Sequence, residues 1–122
     1  MPRFASNEVM DAALQVVAGA TRLVVTAGQP ASYAAADSGR LAEAAVTLAD
    51  FQFGAGAAGG RRLTVAAKAG LIALANGTAD HVALLDGASG RLLYVTTCPA
   101  RPLLAGAPLD VAAWHIEIGA PV

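Results

Sequence analysis

Charge is scarce in this chain. Only 14% of its 122 residues are Asp, Glu, Lys or Arg, against about a quarter in an average soluble domain. Those few charges nearly cancel, at −1. No basic stripe exists to track a phosphate backbone, which argues against nucleic acid as a partner. Cysteine is scarcer still. Cys98 stands alone, so an internal disulfide is impossible and the cysteine-rich zinc frameworks are excluded. Aromatic residues are 5% of the chain, and only Tyr33 and Tyr94 are good platforms for stacking a sugar. Long apolar runs are also missing. Gly, Pro, Asp or Arg cuts each one before the roughly 18 residues that a membrane span needs. No apolar secretory segment follows Met1-Pro2-Arg3-Phe4. These absences predict a soluble, cytoplasmically made protein with no membrane partner.

Hydrophobic residues, by contrast, make up 56% of the chain. Two readings compete: Ala and Gly inflate the apolar count, or other protein copies cover much of the surface. The length fits one domain, 1–122, large enough for a core without disulfides or metal.

Residues 6–18 read as a helix. Ser6 or Asn7 caps it, and Met10, Ala13, Leu14 and Val17 recur at i, i+3, i+4, i+7. Arg22 to Ala27 is a short β-branched run bounded by Gly28 and Pro30, hence a strand. Gly28 to Gly39 is loop-like, with room for one helical turn at Ala34–Ala36 and Tyr33 pinning it. Leu41 to Phe53 reads as one strand with a bulge near Ala49-Asp50, because Val46/Leu48 and Phe51/Phe53 fall on opposite parities. Gly54 to Gly60 is a turn or exposed arm, and Arg61 to Lys68 alternates as a strand. Leu71 to Ala75 is a further short strand. The organising unit is a hairpin, His81 to Leu85 and Arg91 to Thr97 around Asp86–Gly90, apolar on both parities and so covered on both faces. Pro99 to Pro108 is an extended connection. Asp110 to Gly119 closes the same sheet system, with Ala112, Trp114, Ile116 and Ile118 on one face. Strands from about 21 to 119 with regular turn signals predict a mainly β domain, an antiparallel β-sandwich or barrel-like body with one N-terminal α-helix.

Chemistry-bearing residues are few. His81 and His115 are the only histidines, beside Asp80 and Glu117, and their spacing does not demand a metal site. Cys98 ends a strand before Pro99 and reads as a structural thiol. Gly54-x-Gly56-x-x-Gly59 matches a dinucleotide fingerprint in letters only, since no strand–turn–helix unit surrounds it. No acid–base or nucleophile constellation is assembled, so no enzyme, cofactor or metal is expected. Arg61, Arg62, Tyr33, Leu103, Leu104 and Trp114 are the candidate interface residues, although Trp114 reads most simply as core and only second as an interface anchor.

The order of short motifs is nevertheless distinctive. TRLVVTA is followed by GQPASYAAA, GGRRLTVAA, NGTADHVALLDGASGRLLYV, PLLAGAPL and WHIEIGAPV. Across nearly the whole chain this resembles a group of small virion structural proteins of tailed bacteriophages and prophages. The resemblance implies a particle component without catalysis, located in the virion. Its partners would be other virion proteins, the major capsid protein first, and copies of itself. A capsid decoration (cement) protein is the leading expectation. A tail, baseplate or head–tail connector component is the alternative, and a host-surface carbohydrate-binding module ranks lower.

Overall fold

The computed structural model describes residues 6–56 and 59–119. A reading of the ends, Met1–Ala5 and Gly119–Val122, as arms that reach across neighbours falls outside these residues except for Gly119, and residues 57 and 58 of the glycine-rich run also lie outside them.

Helix α1 (Asn7–Ala18) starts where expected: Ser6 Oγ accepts from the Val9 amide. Met10, Leu14 and Ala18 are its buried stripe. The strands that follow are β1 (Arg22–Thr26), β2 (Arg40–Ala45), β3 (Phe51–Ala55), β4 (Arg61–Val65), β5 (Lys68–Ile72), β6 (Gly77–Asp86), β7 (Arg91–Leu103), β8 (Pro108–Val111) and β9 (Trp114–Ile118). Every pairing is antiparallel. The protein is therefore mainly β with an N-terminal helix, and its strands form three sheets: β2-β1-β6-β7, β3-β4-β9 and the small ladder β5-β8.

The first sheet is built on the β6–β7 hairpin, which is longer than its expected arms. Leu23, Val25, Val82 and Leu84 point from it into the main core, where they meet Leu63, Val65 and Ile116 of the second sheet. This is a two-layer apolar filling with alternating inward residues. The other face of β1 and β6 is also covered. Val24, Ala83 and Leu85 pack with Ala36 of a second helix, α2 (Tyr33–Ser38). The hairpin's apolar residues on both parities thus face two separate clusters.

Several local expectations are corrected. Within Gly28–Gly39 the helical turn expected at Ala34–Ala36 is present but longer, as α2, because Ser32 Oγ accepts from the Ala35 amide and three alanines follow Tyr33. Leu41 to Phe53 is not one bulged strand. β2 and β3 belong to different sheets, separated by a 3-10 turn at Leu48–Asp50. Asp50 fixes that turn, accepting from Thr47 N–H at 2.8 Å and from Lys68 Nζ at 2.8 Å. The strand from Arg61 stops at Val65, and Lys68 opens the next one instead. The final stretch is also split. β8 pairs with β5 and β9 with β4, so neither closes the hairpin's sheet. Pro99 and Pro102 lie within β7, tolerated because it is an outer strand.

Candidate functional site

β7 is the outer strand of the first sheet and β9 the outer strand of the second. Between β7 and the β8–β9 link lies a groove of about 620 Å³. Its wall includes Thr96, Cys98, Arg101, Leu103, Leu109 and Trp114. Trp114 stacks on Tyr94 with ring centroids 6.0 Å apart, tying the two edges together. The Trp114 indole Nε1–H is buried without an acceptor.

Cys98 is half-buried in this wall. Burial raises its thiol pKa, with the Asp80 carboxylate adding to the effect. A thiol so placed is mostly protonated at neutral pH and a poor nucleophile. The Asp80 carboxyl is held below the ordinary range, first by the His81 ring and then by the Gly28 amide. His81 Nδ1 lies 2.7 Å from Asp80, and His115 Nε2 lies 4.0 Å from Glu117. Each histidine thus has its own carboxylate neighbour. Among the described residues no group of three or more His, Cys, Asp and Glu is arranged to hold a metal ion.

The expected interface residues are spread over the fold. Arg61 pairs with Asp11 of α1 at 2.7 Å, and Arg62 with Glu117 at 3.1 Å. Tyr33 Oη accepts from Arg22, which also bridges Asp37 and Glu43. The Arg22 pKa is raised, chiefly by its hydrogen bond to Glu43. Leu103 is buried in the core, whereas Leu104, the next residue, is 69% exposed. The groove brings Leu103 and Trp114 together, and leaves Arg61, Arg62 and Tyr33 elsewhere.

Sequence reasoning missed Arg101, Asp110, Ile72 and Leu74. Among the described residues only Glu8, Arg101 and Asp110 are charged side chains outside any ion pair. Two of these, Arg101 and Asp110, are exposed residues that line this groove, and Asp110 Oδ1 accepts from the Gly70 amide at 2.9 Å. Ile72 and Leu74 are 52% and 53% exposed on the outer side of the small ladder. Their shared parity, opposite Leu71 and Ala73, was readable once that strand was located.

Among the described residues no helix is long and apolar enough to cross a membrane. No family model matches the chain, and neither the curated proteins nor the solved structures contain a match.

Proposed function

We propose that this is a non-enzymatic virion structural protein, a capsid decoration component that presses against neighbouring shell subunits. One observation carries the reading. The chain neutralises most of its charge internally while leaving large apolar side chains in water. Val9, Val16, Leu48, Ile72, Leu74 and Leu104 are all more than half exposed. Among the described residues most Arg, Lys, Asp and Glu side chains are held by a partner within the same chain. A surface with little unpaired charge is cheap to desolvate, and its exposed aliphatics gain from being covered. The resemblance of the motif order to virion proteins of tailed phages supports the same reading.

The test is stoichiometry in particles induced from the strain that carries the gene. Quantitative mass spectrometry against the major shell protein is expected to find many copies per particle. A few copies per particle move the protein to the tail, baseplate or connector. Complete absence from purified particles overturns the virion reading.

A further inference from the structure

Asn76-Gly77 is the one Asn-Gly pair in the chain, and it leads into β6 from the end of β5. Asn76 is exposed there. Packing fixes both residues. A Cβ on Gly77 would stand 3.1 Å from both Leu41 Cδ atoms, so the position takes glycine. Asn76 Oδ1 accepts from the Ala105 amide at 2.8 Å. That amide belongs to a turn closed by Ala107 N–H on Leu104 O at 2.9 Å. Gly106 has φ 86, and among the described residues no side-chain-bearing residue has positive φ. Leu104–Ala107 is therefore a type II turn with Ala105 at its second position. Gly106 N–H donates to Ala73 O at 2.8 Å, and Ala73 N–H to Ala107 O at 2.9 Å. These bonds anchor the turn, and the Ala105 donor is held in place against Asn76.

An asparagine followed by glycine carries its own nucleophile. The next backbone nitrogen can close a small ring onto the side-chain carbonyl carbon, and glycine has no side chain to hinder closure. Here the carbonyl is also activated. The Ala105 N–H draws charge toward Oδ1 and stays in position for the oxyanion that forms on attack. The departing nitrogen, Asn76 Nδ2, makes no hydrogen bond among the described residues. We infer that Asn76-Gly77 is a self-modifying site, at which the folded chain converts Asn76 to aspartate and isoaspartate. Solvent base takes the Gly77 N–H proton, and the Gly77 nitrogen bonds Asn76 Cγ. The Cγ–Nδ2 bond breaks, and Nδ2 leaves as ammonia with a proton from water. Water then opens the succinimide. Cleavage of the new N–Cγ bond gives aspartate, and cleavage of the original peptide bond gives isoaspartate, with the main chain lengthened. Either product places a new negative charge beside the turn. The chain's Asp-Gly pair is held shut by contrast. Gly87 N–H donates to Thr21 Oγ1 at 2.9 Å, and the Asp86 oxygens accept from the Ala88 amide and the Ser89 hydroxyl.

Peptide mapping by mass spectrometry of the whole chain, aged at mildly alkaline pH, tests this. Deamidation at Asn76, split between aspartate and isoaspartate, is expected, with Asn7 and Asp86 unchanged. Asn76→Gln is expected to abolish it, because the longer side chain closes its ring poorly. Ala105→Pro is the decisive variant. Proline suits the second position of a type II turn and deletes only the N–H. Deamidation is expected to slow roughly tenfold, less than the roughly hundredfold lost with an oxyanion donor in a dry site. A bond that only tethered the side chain would give the opposite sign, since freeing Asn76 would speed the reaction. If Ala105→Pro fails to fold, the comparison with urea decides. Unfolding removes the Ala105 contact and is expected to slow the reaction at Asn76. Asn76 left intact on ageing overturns the inference, and so does an unchanged or faster reaction in Ala105→Pro or in urea. Each readout is made on the isolated chain and is independent of the virion reading.

Discussion

Leu84→Ala is the sharpest probe of the sandwich. Leu84 lies in β6, fully buried, opposite Leu23 on one side and Tyr94 on the other. Cutting its isobutyl group back to a methyl removes three carbons at about 0.8 kcal/mol each, or roughly 2 kcal/mol in transfer terms. Paired strands on both sides hold the backbone, so the space cannot collapse. A residual void adds about 24 cal/mol per Å³, bringing the total to about 3–4 kcal/mol. For a domain of this size that corresponds to a melting point roughly 12–16 °C lower. Urea unfolding followed by Trp114 fluorescence measures it, with the midpoint shifted and the slope unchanged. Leu104→Ala, made in the 69% exposed leucine, is the matched control and should stay within about 0.5 kcal/mol in the monomer. A Leu84→Ala loss under about 1 kcal/mol, or equal losses for the two leucines, would refute the assignment of β6 to the centre of the core.

Four other outcomes can be checked. The Asp50 carboxyl is held below its ordinary value of 3.8, first by Lys68 and then by the Thr47 amide. A depressed carboxylate contributes stability that is present above its unfolded pKa and is lost as pH falls through the folded one. Stability should therefore hold above the ordinary carboxylate range and fall below pH 3.8, and Asp50→Ala should flatten that acid limb in thermal melts across pH. Cys98 alkylation by iodoacetamide at neutral pH should be slower in the folded chain than in urea, because burial keeps the thiol protonated. Gly106→Ala should cost about 1 kcal/mol in chemical unfolding, since its φ of 86 strains a side chain although nothing lies within 4 Å. Tyr94→Ala should red-shift Trp114 emission by removing the ring stacked on it, while Tyr33→Phe leaves the spectrum unchanged.

The hairpin and α1 were legible because periodicity and capping agree there. Ser6, Met10 and Leu14 do what their spacing says. Residues 41–53 were misread because alternation reports which face a side chain takes, not which sheet the strand joins. The parity switch between Val46 and Phe51 marks a crossing between layers, and the chain makes it through a 3-10 turn that Asp50 holds by contact with Lys68. A partner eighteen positions away leaves no local signal. The same limit hid the groove. Arg101 on β7 and Asp110 on β8 carry no sequence signal of their proximity, and only the folding of the two strands around one groove puts both on its wall. Leu103 and Leu104 are indistinguishable by type, and one turn decides that the first is core and the second is not.

The position of β9 has a further consequence for how the molecule is made. β4 lies between β3 and β9, and its partner on one side arrives only when Trp114–Ile118 has been synthesised. Until then Leu63 and Val65 lack Ile116, and the second layer is a two-stranded ribbon with marginal stability of its own. Because Trp114 begins that late strand and stacks on Tyr94 of the first sheet, a change in its fluorescence marks the moment the layers shut.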